Sequence, residues 1–198
     1  MKPLTLLPAA GQTSLAHPEH VKNITLDDPA LAIFTDFRQS QALVVQAGAS
    51  AAEAESRMRE AHVRMKIVVD KANNVLGMVS LDDLNNQEMI KRISQGFHRS
   101  ELKVSDFMRP LAALKAFRWQ DIQQASIGDV VDALQANGEQ HCLVVDNQRR
   151  EIRGIISASD IARKLRLPVD IATESNFARL SHVIYQQIKP RNSLANVG

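Results

Sequence analysis

Cysteine is nearly absent from this sequence of 198 residues, and Cys142 is the single example. One cysteine cannot form a disulfide within the chain, and cysteine-poor chains are typical of reducing compartments, so we expect a cytoplasmic protein. An excess of charge of one sign is also lacking. The 24 Lys and Arg residues face 22 Asp and Glu residues, interspersed along the chain, so no basic tract predicts nucleic-acid binding.

Long apolar runs and catalytic signatures are missing as well. No segment approaches the roughly 18 apolar residues of a membrane span. The N-terminal "MKPLTLLPAAGQ" is too short in its apolar part for a signal peptide and contains Pro8. The sequence has no phosphate-binding loop, dinucleotide fingerprint, His-Glu-x-x-His, Cys-x-x-Cys or Gly-x-Ser-x-Gly. We therefore expect a soluble protein that is not an enzyme and binds no membrane.

What the sequence does contain is an internal repeat. "GMVSLDDL" (77–84) matches "GIISASDI" (154–161), with glycine, serine and aspartate at the same offsets. Upstream, "MKIVVD" (65–70) matches "HCLVVD" (141–146), and a helical pattern precedes each of these segments. Repeats of this size bury little apolar surface alone, so we expect the two to pack together as one pseudo-symmetric module.

Each repeat is predicted to fold as strand, helix, strand, strand and helix, which gives an α/β (α+β) fold class. The predicted strands are 41–45, 65–69 and 75–79 in the first repeat, and 117–122, 141–145 and 151–156 in the second. The predicted helices begin at Ser50, Ser80, Ser126 and Ser157, and the third of them ends at Asn137-Gly138.

These elements suggest four parts of the chain. They are a loose N-terminal segment (1–27), a first repeat (28–96), a second repeat (101–167) and a C-terminal helix (173–188). Short helices are expected just before each repeat, within 27–37 and 101–110, and the segment 85–100 is expected to prolong the first repeat's last helix. The C-terminal helix has an apolar face that covers the core or contacts a second subunit, formed by Phe177, Leu180, Ile184 and Ile188.

The Ser-x-x-acid spacing at the four helix starts has two interpretations. In a capping box, the serine oxygen accepts a backbone N–H while the acid three residues later reaches back to the cap. Ser80 and Ser157 differ from the other two serines because each follows a strand directly, at its carboxyl end. An aspartate at such a position can also bind ribose hydroxyls, and the helix N-terminus can face a phosphate. Capping and ligand binding can coexist.

With its apolar-Val-Val-Asp strands and its Gly-apolar-apolar-Ser-x-x-Asp motifs, the sequence resembles a tandem pair of cystathionine-β-synthase (CBS) domains, a Bateman module, over residues 28–166. The resemblance implies two pseudo-symmetric clefts that bind adenine nucleotides or related adenosyl ligands. It also implies which residues bind them. Ser80 and Asp83 would bind ribose in one cleft and Ser157 and Asp160 in the other, while the adenine would meet Met65, Lys66, Ile67, His141, Cys142 and Leu143.

The function implied by this resemblance is a regulatory sensor. It would bind AMP, ADP, ATP or another adenosyl metabolite, form a homodimer and signal to an unknown effector protein. Two alternatives remain open at this point: a structural dimerisation protein with empty clefts, and a nucleotide-handling enzyme of unknown type. Basic side chains near the clefts are either phosphate ligands or ordinary surface charges; they are Arg64, Lys66, Arg109, Arg163 and Lys164. His17 and His20 lack a nearby cluster of further ligands, so we expect no metal site.

Overall fold

A computed structural model describes residues 23–166 of the chain. The predicted C-terminal helix, His17, His20 and most of the N-terminal segment lie outside the described residues. The strands within residues 23–166 are β1 (Thr35–Asp36), β2 (Val44–Gln46), β3 (Met65–Val69), β4 (Val75–Ser80), β5 (Arg109–Pro110), β6 (Ala116–Arg118), β7 (His141–Asp146) and β8 (Glu151–Ser157). The α-helices are α1 (Ala51–Glu60), α2 (Asn86–Ser94), α3 (Trp119–Ile122), α4 (Ile127–Asn137) and α5 (Ala158–Lys164).

The longest helices begin and end where local capping predicts. Ser126 accepts a hydrogen bond from the Asp129 backbone N–H at 3.1 Å, and the Asp129 carboxylate accepts the Ser126 backbone N–H at 2.8 Å, so α4 begins with a capping box. Gly138 ends α4 in the left-handed region, with φ of 65°, a conformation that glycine adopts at no steric cost. The predicted limits of α4 are therefore confirmed.

One helix start and one strand differ from the prediction. The helix expected at Ser80 begins at Asn86 instead, because residues 81–84 form turns that bury Leu84, and the Asn85 side chain accepts the Glu88 backbone N–H at 3.0 Å. The strand expected over 117–122 ends at Arg118. A helical turn follows, which directs Trp119 and Ile122, three residues apart, into the same core.

The segment before each repeat pairs with the other repeat. The two sheets of the described chain have the orders β2-β3-β4-β5 and β1-β8-β7-β6. Strand β1 lies ahead of the strand-helix-strand-strand-helix unit of the first repeat but pairs antiparallel with β8 of the second, and β5 lies ahead of the same unit of the second repeat but pairs with β4 of the first. The short helices expected before each repeat are three-residue 3-10 turns, Ala30–Ala32 and Val104–Asp106. Each repeat therefore takes its fourth strand from the segment that leads into its partner.

Three apolar clusters stabilise this arrangement. One lies between the second sheet and helices α4 and α5, and one lies between the first sheet and α1. The third joins the two sheets and consists of Ile67, Val69, Met78, Leu143 and Ile155. The two repeats therefore pack through their sheets as one pseudo-symmetric module, and the predicted fold class is confirmed. No helix among residues 23–166 is long and apolar enough to cross a lipid bilayer.

Candidate functional site

A cleft of about 240 Å³ lies between the two repeats. The second repeat contributes the end of β8 and the start of α5, and the first repeat contributes the residues that enter β3. The segment around β1 forms another wall. The lining residues are Thr35, Phe37, Gln41, Leu43, His62, Val63, Arg64, Met65, Ile67, His141, Ile155, Ser157, Ser159, Asp160 and Arg163.

Asp160 is the acidic residue among those that line this cleft. Its Oδ2 atom accepts a hydrogen bond from the Ser157 hydroxyl at 2.7 Å, and its Oδ1 atom accepts one from Arg163 Nη1 at 2.8 Å. The Asp160 backbone N–H donates to the Ser157 hydroxyl oxygen at 3.1 Å, so Ser157 also caps α5. Strand β8 runs directly into α5 at Ser157, and this junction places the carboxylate at the mouth of the cleft.

The aspartates of the other Ser-x-x-Asp motifs make a different contact. Asp83 accepts the Ser80 backbone N–H at 2.7 Å, and Asp129 accepts the Ser126 backbone N–H at 2.8 Å. Within the described residues, the Asp160 carboxylate makes no such bond to its N-cap backbone. Each of the three carboxylates accepts two hydrogen bonds, but neither bond of Asp160 comes from a backbone N–H, and one comes from the Arg163 side chain in the cleft.

His141 is a buried titratable group of the cleft. The residue is 9% exposed and lines the cleft. Burial, together with the charges of Arg109 and Arg64, lowers the pKa of His141 to about 4, while the charge of Asp160 opposes this shift. The imidazole is therefore neutral at physiological pH and can both donate and accept a hydrogen bond.

Two guanidinium groups supply positive charge to the cleft. Arg163 is bonded to Asp160, as described above. Arg64 belongs to the loop between α1 and β3, which is held in place because the Arg64 carbonyl accepts the Leu81 backbone N–H at 2.9 Å. His62 in the same loop has a φ of 53°, in the left-handed region that Gly138 occupies at the equivalent point of the second repeat. The cleft thus combines apolar walls with one carboxylate and two cations.

The wall formed by Thr35, Phe37, Gln41 and Leu43 was not predicted from the sequence. It results from the pairing of β1 with β8, which joins residues far apart in the chain. Gly154 is the signal that could have revealed it. A glycine inside an apolar strand often marks the close approach of another backbone, and here Gly154 pairs with Asp36 of β1.

Half of the residues named from the resemblance line this cleft, and half lie elsewhere. Met65, Ile67, His141, Ser157 and Asp160 line it. Leu143 belongs to the cluster between the sheets, and Cys142 faces the core beneath α4 and α5 because side chains alternate along a strand. Burial raises the pKa of the Cys142 thiol to about 11. The remaining residues, Ser80, Asp83 and Lys66, are not part of the cleft lining.

No group of three or more His, Cys, Asp or Glu side chains between residues 23 and 166 is arranged to hold a metal ion.

Comparisons with known proteins agree with this architecture. The family model for the CBS domain matches residues 34–87 and 123–167, which together make up half of the chain. No curated protein sequence matches. Among solved structures, an uncharacterized conserved protein from Pyrococcus horikoshii is similar, with a TM-score of 0.52 and 21% identity over 75% of this chain and 100% of that one.

Two further solved structures are similar. One is a hemolysin-like protein containing a CBS domain from Oenococcus oeni PSU, with a TM-score of 0.50 and 20% identity over 71% of this chain and 92% of that one. The other is a CBS-domain containing protein from Agrobacterium tumefaciens, with a TM-score of 0.50 and 18% identity over 65% of this chain and 88% of that one. At these identities the likeness concerns the fold.

Proposed function

Because the chain belongs to the CBS domain family, we propose that it is a regulatory module that binds an adenosine-containing ligand in the cleft at Asp160. The observation that carries this proposal is the state of the Asp160 carboxylate. It lines an open cleft and, among the described residues, is bonded only by the side chains of Ser157 and Arg163, whereas Asp83 and Asp129 each accept a backbone N–H.

The ribose is assigned to the junction of β8 and α5. A carboxylate can accept two hydrogen bonds from the vicinal hydroxyls of a ribose, and charge-assisted bonds of this kind are stronger than neutral ones. Ser159 lies beside Asp160, and its hydroxyl is 3.2 Å from the Ser157 hydroxyl, so it offers a further donor or acceptor. This contact requires both ribose hydroxyls, which provides a direct chemical test.

The base and the phosphates are assigned to different residues of the cleft. Met65, Ile67 and Ile155 offer apolar surface to the faces of an adenine ring, as ligand pockets commonly do. Arg64 and Arg163 offer guanidinium groups, which bind phosphate oxygens in a bidentate manner. The neutral His141 ring can hydrogen-bond the base or the sugar without adding charge.

Signalling is proposed to pass through the packing of the two repeats. The cleft takes its walls from both repeats and from the segment around β1, so a ligand contacts all three. A ligand shifts the arrangement of these parts only through its different affinity for the alternatives. An effector protein, or the second subunit of a homodimer, would read this change. We propose that the module itself binds its ligand without turnover.

Isothermal titration calorimetry with AMP, ADP, ATP, S-adenosylmethionine and NAD tests the proposal. We expect at least one of these to bind, and its 2′-deoxy analogue to bind at least about tenfold more weakly, since one hydroxyl bond to a carboxylate contributes about 1.5–3 kcal/mol. Absence of binding by all five would contradict the proposal and favour a structural role. Product formation from a bound nucleotide would favour an enzyme.

The homodimer remains a prediction, and one exposed surface offers a place to test it. Ile90, Ile93 and Phe97 lie on or just after α2 with large exposed fractions, 61% in the case of Ile90. Ile90→Glu should convert a dimer to a monomer in sedimentation equilibrium if this surface joins two copies. A native chain that is monomeric at every concentration would contradict the homodimer.

A further inference from the structure

The cleft at Asp160 has a pseudo-symmetric counterpart. Residues 65 and 141 begin equivalent strands, and Ser80 and Ser157 end the strands that pair with them. The lining of the cleft can therefore be mapped onto the other side of the module. We use the name counterpart site for the position formed there by Ser80, Asp83 and the residues equivalent to the cleft lining.

Two residues that line the open cleft are replaced by charged residues at the counterpart site. Thr35 of β1 pairs with Ile155, and the equivalent pairing joins Arg109 of β5 to Met78. Val63 lies two residues before β3, and Glu139 lies two residues before β7. Thr35 of the cleft thus corresponds to Arg109 at the counterpart site, and Val63 corresponds to Glu139.

Arg109 and Glu139 bind each other across the two repeats. Arg109 Nη1 donates to Glu139 Oε2 at 3.0 Å, and the exposed fractions of the two side chains are 36% and 16%. Arg109 belongs to the first sheet, whereas Glu139 belongs to the loop that enters the second. A ligand at the counterpart site would have to separate this partly buried pair and leave each charge without its partner, which is costly.

The charges at the counterpart site also disfavour a phosphate. Ser159 of the cleft corresponds to Asp82, which stands next to Asp83. Burial raises the pKa of Asp82 and the charge of Asp83 raises it further, while Arg64 opposes them. The positions equivalent to the cleft lining therefore include Asp82, Asp83 and Glu139 with Arg109, and Arg64 and Arg59 also act on Asp82, whereas the cleft has Asp160 as its one acid among the described residues, with Arg64 and Arg163.

Asp83, the counterpart of Asp160, already accepts a backbone hydrogen bond. Asp83 Oδ2 accepts both the backbone N–H and the hydroxyl of Ser80 at 2.7 Å, whereas Asp160 accepts the Ser157 hydroxyl on Oδ2 and the Arg163 guanidinium on Oδ1, with no backbone donor between residues 23 and 166. A ribose that bonds both carboxylate oxygens would have to compete with the Ser80 backbone for Asp83 Oδ2.

We propose that the Arg109–Glu139 ion pair takes the place of ligand at the counterpart site, so that the module binds one adenosine-containing ligand per chain, at Asp160. This inference rests on the proposed function and specifies its stoichiometry. It also attributes the difference in ligand binding between the cleft and the counterpart site to the ion pair that replaces Thr35 and Val63.

Exchange of the equivalent residues tests the inference. The probe is AMP, titrated by calorimetry into the native chain, into Arg109→Thr/Glu139→Val and into the reciprocal Thr35→Arg/Val63→Glu, with circular dichroism to confirm folding. We expect about one equivalent bound by the native chain and about two by the first variant. The reciprocal variant should bind at least about tenfold more weakly than the native chain, because it installs an ion pair that the ligand must displace.

A third substitution identifies the added site. Asp83→Ala in the Arg109→Thr/Glu139→Val background should return the stoichiometry to one equivalent. Two equivalents bound by the native chain would overturn the inference and leave the proposed function intact. One equivalent bound by a folded Arg109→Thr/Glu139→Val variant would also overturn it. If that variant does not fold, native affinity in the reciprocal variant overturns it. If AMP does not bind the native chain, whichever of the other four ligands binds replaces it as the probe, and absence of binding by all five would overturn the proposed function and this inference together.

Discussion

A Cβ atom added to Gly154 would lie 2.1 Å from the carbonyl oxygen of Thr35. The same relationship occurs in the first repeat, where a Cβ on Gly77 would lie 2.2 Å from the Arg109 carbonyl oxygen. Neither glycine has a positive φ, so both are explained by the space that the neighbouring strand takes. The glycine of each Gly-apolar-apolar-Ser motif thus permits the exchanged strand to pair with its sheet.

Gly154→Ala is expected to lower the free energy of unfolding by about 1–3 kcal/mol, because the added methyl group forces β1 away from β8. Urea denaturation followed by circular dichroism measures this change. Gly48→Ala is the matched control, since a Cβ at Gly48 has no neighbour within 4 Å and this residue does not have a positive φ. Equal effects of the two substitutions would contradict the steric account.

The ion pair between Asp36 and Arg153 is expected to fix β1 to the second repeat. Arg153 Nε and Nη2 donate to the two carboxylate oxygens of Asp36 at 2.8 and 2.6 Å, and the Arg153 guanidinium lies 4.4 Å from the centre of the Trp119 ring. Both side chains are largely buried. Arg153→Ala should cost about 3 kcal/mol, because it leaves the Asp36 carboxylate without its partner.

The stabilisation by the Asp36–Arg153 ion pair should decrease in acid. Hydrogen bonds from Arg153 hold the pKa of Asp36 below its ordinary value, so the stabilisation is present above pH 4 and is lost as the pH falls through the lowered value. The native chain should therefore lose more stability between pH 5 and pH 3 than Arg153→Ala does. Arg118→Ala is a control because its ion pair with Asp121 is exposed, and its effect should stay within about 0.5 kcal/mol.

His141 is expected to reduce stability in mild acid. Its pKa is about 4 in the folded chain against 6.5 when exposed, so the unfolded chain binds a proton first as the pH falls. Between pH 7 and pH 5 this one group should lower the free energy of unfolding by about 2 kcal/mol. Below about pH 4 its contribution should be constant.

His141→Met removes this titration and installs the residue that the first repeat has at the equivalent position, Met65. Urea denaturation of the native chain and the variant at pH 7, 6 and 5 should show a shallower pH dependence for the variant. An identical pH dependence in the two proteins would show that the His141 ring can be protonated without cost in the folded chain.

Local patterns predicted most of this fold, and long-range pairing accounts for the rest. Apolar periodicity predicted the repeat and four of the six strands, and the Ser cap and Asn137-Gly138 predicted the limits of α4. Each of these signals lies within a few residues of the chain. The exchange of β1 and β5 depends on two-residue strands that carry no periodic signal of their own. Sequence spacing also could not separate Asp160 from Asp83, because the difference is a single backbone hydrogen bond.

The comparison of Asp160→Ala with Asp129→Ala tests the central claim most directly. Both substitutions remove an acid from a Ser-x-x-Asp helix start, but Asp129 lies outside the cleft and Asp160 lines it. Loss of such a cap costs about 1 kcal/mol in either case. In calorimetric titrations with the five adenosine-containing ligands, we predict that Asp160→Ala loses binding and Asp129→Ala binds as the native chain does. Native affinity in a folded Asp160→Ala variant would show that Asp160 serves only the start of its own helix and would contradict the account.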